Sequence, residues 1–329
     1  MLHAIVLDHY YLRLRNGCYA VVVGNYHEYH MILSYIKYCP SRTPSVWRDR
    51  SGFLERVVSK YDASEVRKTS LKQAYIPFYD SNIPYVASSD VVEIYNPVKR
   101  AGEIIMRVND ELEATALGMI GTLLEAVKPL TIGVTGSLLP SIHNPKVSDI
   151  DLILYGWGSS PSAIEFVSEN KDLFPGFTGG RLEAWAEANA SATGLTRQEV
   201  MKFYRRYRRG VYSGREYSIM YSSGLPSSLL NKPYYKTLGV STIQTEFEGG
   251  VHALDYPARG LVSGWRILEG VQPPMDICEV LSFEALYIPL FYEGGRAIVK
   301  GLLQCSVTEG CCRILVGGYE YKGFAKWAE

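Results

Sequence analysis

Several things are missing from this chain of 329 residues. It has no excess of either charge, since Lys+Arg and Asp+Glu stand at 34 each. Bulk charge therefore announces no nucleic-acid partner, although a local basic patch offset elsewhere remains compatible with one. No uncharged apolar run is long enough to span a bilayer, so no membrane partner is expected. The opening "MLHAIVLDHYYLRLRNG" lacks the basic start and apolar stretch of a signal peptide. No Cys-x-x-Cys pair and no solenoid-type repeat occurs. The six cysteines read as small apolar strand residues in a reducing, cytoplasmic setting, with hairpin spacing that also permits a bridge from Cys305 to Cys311 or Cys312. Asn and Gln look sparse, a mild thermophile signature. Phe is scarce beside Tyr, 10 against 25; the tyrosines suit core and interface positions.

The length allows two or three domains. Residues 1–98 read as an α+β unit. "CYAVVVG" is a buried strand opened by Asn16-Gly17, and "EYHMILSYIKYC" has helical spacing through Met31, Ser34, Tyr35 and Tyr38. A polar stretch from Pro40 to Ser51 and a mixed segment follow, with no chemistry assigned to them. His27 and His30 lack a third partner for zinc.

Residues 99–235 carry the chemistry. Arg100 to Lys128 reads as one long helix with an apolar stripe of Ile104, Val108, Leu112, Ala116, Ile120, Leu123 and Val127, acids on the other side and Pro129 as its stop. "LTIGVTG" and "SDIDLILYG" read as strands, "SPSAIEFVSEN" and "RLEAWAEANA" as helices. "TRQEVMKFYRRYRRG" reads as a helix with a Thr196–Glu199 capping box, ended by Gly210. "REYSIMYS" is a strand. After the Pro-containing stretch Ser222 to Pro233, short strands with Gly-rich turns fill 236–329 and predict a small β-barrel of about five strands, OB-like in kind.

The stretch Gly133 to Gly156, "GVTGSLLPSIHNPKVSDIDLILYG", carries a specific arrangement. Asp149 and Asp151 are two apart on a strand, so their carboxylates share a face and repel unless a cation lies between them. Oxygen ligands favour Mg²⁺ or Mn²⁺. Upstream, Gly136 removes a side chain where backbone N–H groups would approach an anion, and Ser137 adds a hydroxyl at the start of an expected helix whose N-terminus suits phosphate. One substrate explains both halves: a metal-bound nucleoside triphosphate, with Gly136 and Ser137 on its phosphates and Asp149 and Asp151 on its metal. His143, in the intervening loop, reads as an exposed loop histidine.

Strand, Gly-Ser, about ten residues and Asp-x-Asp on a strand resemble the signature of the DNA polymerase β-type nucleotidyltransferase superfamily. The longer stretch is similar to an uncharacterised archaeal family of predicted nucleotidyltransferases, as are "YAVVVGNYHEYHMILSYIKYCP", "GREYSIM" and "YEGGRAIVKGLL". The resemblance implies a mixed sheet with flanking helices, Mg²⁺, and transfer of a nucleotidyl group to a hydroxyl or phosphate. It also implies a third carboxylate from a further strand. Glu216 on "REYSIMYS" is the first candidate and Asp255 the second, with two carboxylates plus water as the remaining reading.

Arg205 and Arg209 are i,i+4 neighbours in "YRRYRRG", alongside Arg206 and Arg208. They read either as dipole-capping residues or as a patch for the triphosphate or an RNA backbone. The functional expectation is a metal-dependent nucleotidyltransferase acting from an NTP onto an RNA end or a small molecule. Its alternative is a nucleotide- or RNA-binding protein that keeps the fold without turnover. Oligomeric state is not legible.

Overall fold

The computed structural model describes residues 5–58, 66 and 72–328; part of the mixed segment after Ser51 lies outside them. In chain order the strands are β1 (Tyr11–Leu14), β2 (Tyr19–Val22), β3 (Met31–Ser41), β4 (Trp47–Asp49), β5 (Gly52–Arg56), β6 (Gln73–Ile76), β7 (Ser81–Ala87) and β8 (Val91–Tyr95). Then come α1 (Pro97–Met106), α2 (Glu111–Ala126), β9 (Thr131–Val134), β10 (Ile150–Tyr155), α3 (Ser160–Glu169), α4 (Gly179–Thr193), α5 (Arg197–Met201), β11 (Arg209–Tyr212) and β12 (Arg215–Ser222). The chain ends with β13 (Lys236–Phe247), β14 (Ala258–Gly270), β15 (Ile277–Ser282), α6 (Ile288–Glu293), β16 (Gly295–Ser306), β17 (Cys311–Val316) and β18 (Phe324–Trp327). The protein is α+β, and no helix among the described residues is long and apolar enough to cross a membrane.

The chain divides into two compact units. The first comprises Met1–Ser59, Val86–Phe177 and Arg205–Pro226; the second comprises Lys60–Tyr85, Thr178–Tyr204 and Ser227–Glu329.

In the first unit an antiparallel sheet runs β4-β5-β3-β2-β1-β8. A smaller sheet runs β11-β12-β10-β9, with β10 parallel to β12 and both outer strands antiparallel to their neighbours. Leu12, Ala20, Val22, Ile36, Ile153 and Tyr155 belong to one core cluster. Polar ties reinforce it: the Tyr155 hydroxyl donates to the Asp8 carbonyl at 2.8 Å, and Asn25 Nδ2 donates to Ser222 Oγ at 2.9 Å.

Three local readings of the sequence are corrected here. Met31–Ser41 is a strand, not a helix. Its residues from Ile32 to Ile36 are all buried, so helical spacing could be drawn through a segment with no polar face, and its aromatic and β-branched content decides for a strand. The long helix from Arg100 is two helices. The Asp110 carboxylate accepts from the amides of Leu112 and Glu113 and so caps α2, and Val108 lies exposed in the break. Glu113, expected on the polar side, is buried against Arg100. The third correction concerns "YRRYRRG": α5 stops at Met201, and Arg209 begins a strand. Gly210 ends no helix. A Cβ there would stand 2.7 Å from both the Pro175 carbonyl and the Tyr217 hydroxyl, which is why glycine occupies the position. The Thr196–Glu199 capping box is present as expected.

In the second unit β6 and β7 form a hairpin. The last third of the chain closes into the expected five-stranded barrel, in the order β13-β14-β15-β17-β16 and back to β13. Its one parallel pairing is β15 with β17, α6 lies between β15 and β16, and β18 adds to β16 from outside. Ile243, Val280, Ala297, Val299, Leu303, Cys312 and Ile314 are buried on these strands.

The cysteines are not all thiols. Cys305 and Cys312 sit opposite one another in the β16–β17 register and are bridged. Cys18 and Cys39 flank the Tyr19–Tyr38 pair of β2 and β3 and are bridged as well. Cys278 and Cys311 are free.

Candidate active site

β9 and β10 are antiparallel neighbours, with Val134 opposite Leu152, so the turn leaving β9 falls beside Asp151. The Thr135 amide donates to the Asp151 carbonyl at 2.9 Å. Gly136 follows at φ +64, where side chains are disfavoured. A Cβ on Gly136 would lie 2.0 Å from Asp151 Oδ2. The glycine is therefore required twice over, by its backbone conformation and by the carboxylate packed against it.

Gly136–Leu138 forms a single 3-10 turn, not the start of the helix expected at Ser137. The turn therefore brings no helix dipole to this place. The turn is held from both sides. Buried Arg100 donates through Nε to the Leu138 carbonyl at 3.0 Å and pairs with Glu113. The Ser137 carbonyl accepts from the Ile142 amide at 3.1 Å, and its hydroxyl donates to Ser148 Oγ at 3.4 Å. Ser148 Oγ also accepts from the Asn144 amide at 3.1 Å, which folds the loop back onto the residue preceding Asp149.

Across the sheet, Asp151 on β10 is in register with Ser218 on β12, and Ser218 with Arg209 on β11. Arg209 Nη1 donates to Ser218 Oγ at 3.0 Å. Arg209 thus joins a row ending at Asp151, through the strand that replaced the expected helix. Glu216 lies two residues before Ser218 on the same strand, hence on the same face, and is half-buried. Arg205 stays out of the row; its carbonyl accepts from the Arg208 and Arg209 amides in the turn before β11. Asp255 belongs to the second unit, directly after a short 3-10 turn.

The aspartates repel as their spacing implies. The Asp151 charge first, and burial second, push the Asp149 carboxyl up to about 6, while Lys37 and Arg209 pull in the opposite direction. Asp149, just before β10, is crowded by neighbouring protein atoms yet keeps an exposed surface, so its interactions are screened by solvent. Lys37 comes from β3 and donates through Nζ to the Tyr11 hydroxyl at 2.9 Å. Burial opposes the Lys37 charge, but Tyr35, Tyr38 and Asp151 outweigh it, and its ammonium is held above its ordinary value. Burial, then Asp151, drive the Tyr11 phenol well up, against the pull of Arg56. Lys37 is missed in the sequence because its segment reads with helical spacing, while Tyr11 on β1 and Arg56 on β5 lie in stretches to which the sequence assigns no chemistry. The signal that would have found Lys37 is a lone cation inside a run of strand-forming aromatics.

His143 is not an exposed loop residue. Its side chain is 7% exposed and its Nε2 lies 2.8 Å from Asp110 Oδ2. Ligand atoms of Asp110, Glu113 and His143 fall within 4.8 Å of one another. Those carboxylates are already engaged: Asp110 caps α2, and Glu113 accepts from Arg100 and from the Asn109 amide and side chain. The cluster locks the entry to α2.

The Asp149–Asp151 pair offers oxygen donors only, and the Asp149 carboxyl is raised chiefly by the Asp151 charge, the electrostatic setting in which a hard cation could be held.

The chain matches no family model, no curated protein and no solved structure.

Proposed function

We propose that the first unit is a metal-dependent nucleotidyltransferase of the polymerase β-like kind, acting from a nucleoside triphosphate. One observation carries the reading: a glycine turn pressed against the carboxylate of Asp151, with Asp149 near enough to be raised by its charge and Arg209 in register across the sheet. In this reading Asp149 and Asp151 hold Mg²⁺ or Mn²⁺, and Glu216 is the candidate third acid. The bound cation supplies charge neutralisation at the reacting phosphate and the departing pyrophosphate. The Gly136–Ser137 turn presents its backbone to the phosphates, held in place by Arg100 and Ser148. Arg209 and Lys37 add fixed positive charge where the transferred phosphoryl group spreads its negative charge. The acceptor oxygen attacks the α-phosphorus, and the bond to the pyrophosphate oxygen breaks.

The acceptor class is an RNA end or a small molecule. The barrel supports RNA: its strand order, with the first strand closing on the fourth, the third parallel to the fifth and a helix between the third and fourth, is that of an OB-fold. One observation favours the alternative, binding without turnover: Lys37 and Arg209 already offset part of the Asp149–Asp151 repulsion. Incubation with each of the four NTPs, Mg²⁺ or Mn²⁺ and a mixed small-RNA acceptor separates the two readings. Pyrophosphate release abolished by Asp151→Asn supports transfer; binding of NTP without pyrophosphate release supports the alternative.

A further inference from the structure

The second unit carries a row of side chains unrelated to the aspartate site. Gln244 on β13 is in register with Arg266 on β14 and with Ile298 on β16, and Ile298 with Lys326 on β18. Arg266, Gln244, Ile298 and Lys326 thus form one line across four strands. Lys202 and Phe203, just past α5, complete a cavity of about 420 Å³ over this line, together with Glu199 and Trp327. That volume is in the range of small-ligand sites.

The lining is specific in chemistry. Three cations, Lys202, Arg266 and Lys326, face one acid, Glu199. Glu199 offsets Lys326, whose ammonium it takes at 2.7 Å, and closes the capping box of α5, which leaves Lys202 and Arg266 as the excess positive charge of the lining. Arg266 is oriented by a neutral partner, donating from Nε at 2.9 Å and from Nη2 at 2.5 Å to Gln244 Oε1. The guanidinium is therefore held in place with its charge uncompensated by that contact. On the other side Trp327 packs against Phe203, ring centroids 4.6 Å apart, and remains half-buried. Fixed positive charge beside a braced indole face suits a ligand that is anionic at one end and a flat ring at the other. On β16, Arg296 and Lys300 lie two residues either side of Ile298, but each is matched by an acid, Glu246 in register with Arg296 and Glu269 paired with Lys300 at 4.0 Å, so the positive charge is confined to the cavity.

We propose that this cavity is a nucleotide-unit site, taking one phosphate on Lys202 and Arg266 and stacking one base against Trp327. The unit is either a free nucleotide or one link of a single-stranded RNA. The site lies wholly in the second unit and does not depend on the transferase reading of the first.

The test is a competition series on the full chain in EDTA at low salt, with a fluorescent single-stranded oligoadenylate of about 10 nucleotides as probe. AMP and pyrophosphate are the competitors, and direct AMP binding is followed by calorimetry. The parent should bind AMP, the oligoadenylate or both. Lys202→Gln with Arg266→Gln, both at exposed positions, should weaken binding about tenfold and flatten its salt dependence. Trp327→Leu should weaken binding of the base-bearing ligands while leaving pyrophosphate unaffected. Asp151→Asn should bind like the parent, which separates failure here from failure of the transferase reading. AMP affinity equal to that of the oligomer assigns a free nucleotide; a much tighter oligomer assigns RNA. The proposal is overturned if the parent binds neither ligand, if the double variant binds as the parent does, or if pyrophosphate competes as well as AMP.

Discussion

Replacing Asp149 by Asn should stabilise the metal-free protein, and only above a particular pH. Asp149 stands at about 6 instead of 3.8, raised chiefly by Asp151. A folded state that holds its proton more tightly than the unfolded chain loses stability as pH rises. The contribution is complete below 3.8 and is lost as pH climbs through about 6. At full strength such a displacement corresponds to about 3 kcal/mol. Asp149 is open to solvent, so screening leaves about 1 kcal/mol, or a melting shift of about 1–2 °C for a chain of this size. Thermal melts of parent and Asp149→Asn in EDTA, from about pH 4 to about pH 8, read this directly. The two curves should run together at the acid end and separate through the window, with the variant higher. If the variant melts below the parent at about pH 8, the pair is a structural asset rather than a repulsive one, and the electrostatic account of the site fails.

Gly136→Ala should cost about 1–3 kcal/mol in denaturant unfolding, because alanine is strained at φ +64 and its Cβ collides with the Asp151 carboxylate; unchanged stability would mean that the turn does not touch Asp151. Lys37→Gln should raise Asp149 further, seen as a later acid-to-neutral stability loss in EDTA, and should weaken NTP binding; an unaltered pH profile would remove Lys37 from the site. Glu199→Gln keeps the capping box but loses the Lys326 ion pair, and should lower stability by about 1 kcal/mol or less at neutral pH. The Lys326 ammonium, followed by the Thr196 contacts, holds the Glu199 acid down at about 2, so this stability is present above 4.5 and disappears as pH falls through 2; a deficit that persists in acid would assign the loss to packing instead.

The residues that carry the proposed chemistry were legible because their constraints are local. Two acids alternating with Ile150 and Leu152 on an apolar run share a face by strand geometry alone, and a glycine before a serine after a strand marks a turn. The barrel was legible from its short, Gly-punctuated strands. What escaped was set by tertiary context. Met31–Ser41 is so thoroughly buried that polarity could not separate a period of 2 from one of 3.6, and losing that strand lost Lys37 as well. The arginines of "YRRYRRG" have helical spacing, but the chain turns at Lys202 and pairs Arg209 with Ser218. The apolar stripe through Val108 hid a helix break that only the Asp110 cap discloses. The hairpin spacing allowed a bridge from Cys305 to Cys311 or Cys312, and the β16–β17 register selects Cys312, whereas the Cys18–Cys39 bridge follows only from pairing β2 with β3.

Asp151 is the carboxylate packed against the Gly136 turn, and its removal tests the proposed site. The measurement is the thermal shift given by Mg²⁺ with each NTP, on the parent and on Asp151→Asn. With ligand a hundredfold above its Kd the parent should gain about 2.7 kcal/mol. Asp151→Asn should stay folded, melt no lower than the parent in EDTA, and show no gain from Mg²⁺ and NTP. A parent that responds to no NTP, or a variant that responds as the parent does, would contradict the claim that this turn and these aspartates form a metal–nucleotide site.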